Sequence, residues 1–173
     1  MAEQQNILVI LGHPTAESLC AGMARAYAEG ARRAGAQVRF LDVGQLTFNP
    51  LFQGYSAAQP LEPDLLAAQA DITWAHHLVW VYPIWWGAMP ALLKGFIDRV
   101  LLPGYAFKYR KGSSLWDKLL AGRSAELLVT MDSPPWYFRW VTRMPGHHQM
   151  KKAILEFCGI SPVRVHSFGP VRS

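Results

Sequence analysis

The chain has 173 residues, 51% hydrophobic and 17% charged, with 17 Lys and Arg against 12 Asp and Glu and a formal net charge of +5. This balance excludes a disordered chain and points to one globular domain over residues 1–173 that can bury a real core. No apolar run reaches the roughly 18 residues of a membrane span, and the N-terminus MAEQQNILVILGHP enters a strand with no basic region or cleavage site, so a cytoplasmic location is expected.

In chain order, Ile7 to Leu11 is an unbroken apolar strand, and the polar loop Gly12 to Glu17 ends at Ser18, a helix N-cap. Leu19, Met23, Ala26, Tyr27 and Gly30 mark the buried stripe of the first helix, which Gly35 ends. Val38 to Val43 is a second strand. Leu46 to Pro63 is a connection punctuated by Pro and Gly, too long for a simple turn. Pro63, with Leu65, Ala68 and Ile72, predicts a second helix to about Ala75.

Leu78 to Tyr82 has the apolar and β-branched character of a buried parallel strand, stopped by Pro83. Ile84, Trp85, Trp86 and Gly87 follow at its carboxyl end, where open α/β sheets bind ligands. After Pro90, Leu92, Leu93, Phe96, Ile97 and Val100 recur at helical spacing, with Lys94 and Asp98 as an exposed i,i+4 pair. A loop from Pro103 to Trp116 leads to a strand over Ala125 to Met131. The loop DSPPWYFRWVTRMPG precedes a fourth helix carrying Met150, Ala153, Ile154 and Phe157, which ends at Gly159 and delivers the strand Val163 to Phe168.

Five strands alternating with helices argue an α/β three-layer sandwich around a parallel sheet, with no internal repeat or domain linker. A doubly wound sheet normally adds a helix after its last strand, and this sequence stops at Ser173 without one. Either the fold is capped in another way or the natural product is longer.

Cys20 and Cys158 lie in helical, apolar patterns that suit reduced buried thiols. The basic residues are spread along the chain, which argues against nucleic acid as a partner. Two local groups stand out: Lys108, Arg110 and Lys111, then Arg139, Arg143, Lys151 and Lys152. Both fit solvated surface, or steering of a phosphate-bearing ligand.

The first loop, GHPTAESLC, joins a strand to a helix, so its N–H groups and the positive helix end form a natural phosphate site. There Ser18 can donate its hydroxyl, Leu19 and Cys20 their main-chain N–H groups, and His13 can stand over the anion. An ordinary cap and a satisfied loop histidine are the alternatives. With neither GxGxxG nor GxxxxGK[ST] in the chain, the phosphate is a single terminal one or part of a ligand held mainly by its rings.

Trp85, Trp86, Trp136 and Tyr137 are stacking material for a flat ligand, or plugs over a core. Met131, Asp132 and Ser133 offer short polar and main-chain groups for the edge of a heterocycle. His76-His77 and His147-His148 lack metal-ligand spacing, and no metal is expected. The first strand ends in Leu11, Gly12 and His13 rather than the aspartates of a phosphoacceptor receiver.

Taken together, LGHPTAESLC, FNPLF, YPIWWGAMPALLKGFIDRVL, GYAFKY and ILEFCGI resemble, in order and over essentially the full length, the flavodoxin-like NAD(P)H:quinone oxidoreductase family. That family includes the mammalian quinone reductases, the bacterial modulator of drug activity B and the ancillary proteins of potassium efflux. The resemblance implies a flavodoxin-like sheet of order 2-1-3-4-5 and a flavin, FMN with FAD as the alternative. It implies NAD(P)H as co-substrate and a quinone or similar acceptor, reduced in a ping-pong relay.

Carried onto this sequence, it implies flavin phosphate contacts at His13, Ser18, Leu19 and Cys20 and ring contacts at Pro83, Ile84, Trp85, Trp86 and Gly87. It also implies that Phe107 and Tyr109 line the substrate pocket across a homodimer interface. Where better-known members carry Thr-Thr-Gly-Gly followed by Tyr and His, this chain has Thr130, Met131, Asp132, Ser133, Pro134 and Pro135. Tyr137 with His147 or His148 are the candidates for the family's Tyr/His pair, and Trp136 for stacking on the substrate side. The reading from another class is a regulatory subunit that binds flavin or nucleotide and docks on a partner.

Overall fold

The computed structural model describes residues 5–55 and 59–172. Residues 1–4, the middle of the Leu46 to Pro63 connection (56–58) and Ser173 lie outside the described residues. The elements run β1 (Asn6–Leu11), α1 (Leu19–Arg33), β2 (Gln37–Asp42), α2 (Pro63–Trp74), β3 (His77–Pro83) and α3 (Ala91–Val100). β4 (Phe107–Tyr109), β5 (Trp116–Lys118), β6 (Ser124–Thr130), α4 (Pro135–Trp140) and α5 (Pro145–His148) follow. A π-wound stretch (Gln149–Leu155), α6 (Glu156–Cys158) and β7 (Val163–Phe168) complete the order.

β1, β2, β3, β6 and β7 form one parallel sheet in the order β2-β1-β3-β6-β7. Counting only these five strands, this is the expected 2-1-3-4-5. Successive strand residues face opposite sides. Leu8, Ile10, Leu78, Trp80, Tyr82, Leu127 and Val129 therefore meet α2 and α3 through Leu65, Ile72, Leu93, Phe96 and Val100. On the other side Ile7, Val9, Leu11, Val79 and Val81 meet Cys20, Ala21, Ala24 and Ala28 of α1. The small stripe of α1 lets its backbone approach the sheet closely. Arg164, His166 and Phe168 share the α1 side through their register with Glu126, Leu128 and Thr130, and they are exposed.

The Pro103 to Trp116 segment is not all loop, since β4 and β5 pair antiparallel across it. The expected fourth helix forms as α5, the π-wound stretch and α6 in one run. Arg99 is 1% exposed yet fully engaged: it donates to the Asn49 and Pro60 carbonyls at 2.5 and 2.9 Å and to Glu62 at 2.7 Å. A buried guanidinium needs such a set of partners. It ties the long connection to α3, and the Asn49 N–H bond is the first cause holding the Glu62 carboxyl below its usual range.

Candidate functional site

Because β1, β3 and β6 are adjacent and parallel, the loops that leave their carboxyl ends lie side by side. The first loop carries His13 and Ser18. Ser18 is extended at φ −152° and caps α1, its Oγ accepting the Ala21 N–H at 3.2 Å. The first N–H groups of a helix have no partner within it, so those of Leu19 and Cys20 belong to the positive end of α1. His13 Nδ1 accepts the Thr15 N–H at 3.1 Å. The same Nδ1 lies 3.1 Å from the Thr15 carbonyl and 3.0 Å from the Thr15 hydroxyl, so Thr15 holds the ring by that edge. The His13 ring meets Trp85 edge-on at 5.5 Å, which joins the first loop to the second.

The second loop is a tight turn. Trp85 and Ala88 exchange two backbone hydrogen bonds, of 2.8 and 3.1 Å, around Trp86 at φ +52° and Gly87 at φ +80°. Two successive positive φ values define the mirror-image hairpin turn, which suits Gly at the second position and strains a tryptophan at the first. The Trp86 ring stands fully in solvent, so among the described residues no packing of the ring compensates that strain. Ile84 N–H donates to the Thr130 carbonyl at 2.7 Å, tying the turn to β6.

The third loop begins at Met131, which is buried. The final segment crosses it: Met131 N–H donates to the Phe168 carbonyl at 2.9 Å, and Val171 N–H donates back to the Met131 carbonyl at 3.1 Å. Arg172 pairs with Asp132 at 3.1 Å. Below, the Cys20 thiol and the Thr130 hydroxyl are 3.2 Å apart, linking α1 to the end of β6. Burial pushes the Cys20 pKa up, so it is a neutral thiol rather than a nucleophile.

Two adjoining hollows result. The first, about 210 Å³, lies between His13, Ser18, Leu19 and Cys20 on one wall and Pro83, Ile84, Trp85, Met131 and Asp132 on the other. The second, about 420 Å³, shares Ile84, Trp85, Met131 and Asp132 and extends to Trp86, Gly87 and Ser133. All twelve residues expected at the flavin loops therefore converge. Thr130, Val171, Phe138, Thr142 and Arg172 also line these hollows and were not singled out from sequence. Only Thr130, at a strand's carboxyl end, carried a signal that could have found it.

The remaining expected residues are not brought to the hollows. Trp136 and Tyr137 are exposed and meet each other edge-on at 5.9 Å, outside the lining. His147 is buried against Phe138, its Nε2 2.8 Å from the Ser167 hydroxyl and its Nδ1 without a partner among the described residues. Burial first, and then the neighbouring His148, lower its pKa to about 4. Phe107 and Tyr109 line a separate hollow of about 250 Å³ with Ile97 and Phe157.

A family profile described as a flavodoxin-like fold matches residues 5–172. An uncharacterized NAD(P)H oxidoreductase of Haemophilus influenzae is 29% identical over 96% of this chain and 84% of its own length. NAD(P)H dehydrogenase [quinone] 1 of Rattus norvegicus is 27% identical over 94% of this chain and 69% of its own. The chain spans little more than half the length of several other curated relatives it matches. The crystal structure of Smu.1420 from Streptococcus mutans superposes with a TM-score of 0.81 at 30% identity, over 96% of this chain and 88% of that one. The chain belongs to the flavodoxin-like family, and its kinship with the NAD(P)H oxidoreductases and quinone reductases of that family makes it an enzyme.

Proposed function

We propose that this enzyme is a flavin-dependent NAD(P)H oxidoreductase that passes two electrons to a quinone or a similar small acceptor, by a ping-pong exchange of donor and acceptor in one pocket. The observation that carries this reading is the Trp85–Ala88 turn. A strained, solvent-exposed tryptophan beside a capped helix N-terminus fits a ligand that is flat at one end and anionic at the other. That shape is a flavin mononucleotide's, and the one anion site of the first loop favours FMN over FAD.

In this reading, the His13 ring, the Ser18 hydroxyl and the Leu19 and Cys20 N–H groups bind the phosphate. Ile84, Trp85, Trp86 and Gly87 face the ring and exclude water from it, and the main chain of Met131 to Ser133 bonds its polar edge. The flavin supplies the acceptance and release of hydride. His147, neutral and bonded to Ser167, has no charge to contribute near neutral pH, so we assign it the positioning of Phe138 in the pocket wall. Tyr137 is the proton donor at the rim and Trp136 its aromatic neighbour. A homodimer carrying Phe107 and Tyr109 to the partner's site, in the cytoplasm, completes the proposal.

The test is steady-state oxidation of NAD(P)H with a water-soluble quinone by the flavin-loaded protein. Parallel double-reciprocal lines are expected. Flavin or nucleotide binding without turnover would instead favour the regulatory subunit.

A further inference from the structure

The segment that follows β7 is built into the wall of the site. It pairs with the third loop through the two Met131 backbone bonds, and Gly169 sits so close to that loop that an added Cβ would lie 2.8 Å from both the Met131 and the Ser133 carbonyl oxygens. Val171 thereby lines the first hollow and Arg172 the second. Among the residues lining the second hollow, Asp132 and Arg172 alone carry charge, and they pair with each other at 3.1 Å. Tyr137 and His147 do not line this hollow, so within its lining only Arg172 offsets Asp132.

The pair does little for the fold. The Arg172 side chain is 86% exposed and that of Asp132 53%, and in an ion pair so open to water, solvent screening and the ordering of two side chains nearly cancel the attraction. Its place matters more than its strength. Asp132 belongs to the loop that bonds the ring's polar edge in the reading above, and a carboxylate there opposes negative charge gained by a bound ring. Hydride addition to a neutral isoalloxazine brings in two electrons and one proton and leaves one negative charge on the ring. An uncompensated Asp132 would therefore favour the oxidised flavin, and a cation set against that carboxylate removes the obstacle.

We propose that Arg172 is a positioning residue for electron transfer: acting through Asp132, it keeps the second hollow free of net negative charge and so raises the reduction potential of flavin held there. The inference rests on the flavin reading and deepens it, making the segment after β7 a tuner of the cofactor. Charge beside the reacting ring is a lever the protein holds where the cofactor supplies the chemistry.

The experiment is anaerobic reductive titration of the FMN-loaded protein against a dye of known potential, near neutral pH and at low salt. Xanthine with xanthine oxidase supplies the electrons, so no nicotinamide nucleotide is needed. Arg172→Gln should weaken binding of reduced FMN relative to oxidised FMN by about tenfold, the scale of one unit charge a few ångströms away in a half-wet site. For a two-electron couple that is a fall in midpoint potential of about 30 mV. Asp132→Asn should raise the potential, and Arg172→Lys, which keeps the charge, should hold it near the wild-type value. Asp132→Asn combined with Arg172→Gln should also return it there, since neither charge remains. A merely structural role would weaken both redox forms of FMN alike and leave the potential unmoved. An Arg172→Gln potential equal to that of the wild type would overturn the proposal, as would a double variant no closer to the wild type than Arg172→Gln alone. If the potentials move as expected while the wild type oxidises neither NADH nor NADPH, the oxidoreductase reading falls and the role of Arg172 stands. Unmoved potentials in a protein that oxidises NAD(P)H would do the reverse, and a wild type that binds no FMN would overturn both.

Discussion

Gly146 at the start of α5 backs onto the carbonyl of Gly87: a methyl group built there would lie 2.7 Å from that oxygen and 2.8 Å from Ile84 Cδ1. The third loop's helical segment thereby props the strained turn of the second. Gly146→Ala should push the Trp85–Ala88 turn out of place and weaken flavin binding by about 1–3 kcal/mol, the cost of overpacking a close contact. Fluorescence titration with FMN reads the loss, and thermal unfolding of the flavin-free protein reads any accompanying destabilisation.

Trp86 separates stability from function. At φ +52° a glycine is less strained than a tryptophan, so Trp86→Gly should hold or raise the unfolding free energy of the flavin-free protein by about 1 kcal/mol. The same change removes the exposed ring from the pocket, and FMN affinity should fall. Equal destabilisation and unchanged FMN affinity would mark Trp86 as a fold residue.

At the other end of the pocket, His13→Ala combined with Ser18→Ala removes two donors to a charged phosphate, each such bond contributing about 1.5–3 kcal/mol. Loss of the Ser18 cap adds about 1 kcal/mol of fold destabilisation. FMN should be lost while riboflavin, which has no phosphate, binds as weakly to the variant as to the wild type.

A pH signature follows from His147, whose pKa is lowered to about 4 by burial. Between that value and the unfolded value near 6.5 the unfolded chain binds the extra proton, so stability rises with pH across this window. The contribution is present above about pH 6.5 and is lost on acidification toward pH 4, amounting to about 3 kcal/mol at most. His77, also lowered by burial, acts in the same direction. Urea unfolding from pH 4 to 7 should show a shallower slope for His147→Gln than for the wild type.

The parallel sheet and the convergence of the three loops at its carboxyl edge were legible because they rest on local signals. Apolar runs such as Ile7 to Leu11, the Ser18 cap, Pro83 and the Lys94-Asp98 pair, bonded at 2.8 Å, each declare themselves within a few residues. What stayed hidden depends on tertiary placement. Phe138 and Thr142 reach the pocket only because the segment that carries them is anchored where Gly146 backs onto Gly87, and Val171 and Arg172 only because the last segment bonds to Met131. The short β4–β5 pair has too few alternating residues to show a period of two. Trp136 illustrates the converse: a proline-stiffened aromatic reads as a pocket residue, yet Phe138 two positions later takes the inward place.

Hydride transfer through the flavin is read most directly by anaerobic mixing of the FMN-loaded protein with NADH or NADPH in a stopped-flow spectrometer. The flavin's visible absorption should bleach on mixing with the nucleotide and return when a quinone is added afterwards, each in a separate phase. A protein that binds FMN but shows no bleaching with either nucleotide would contradict that transfer.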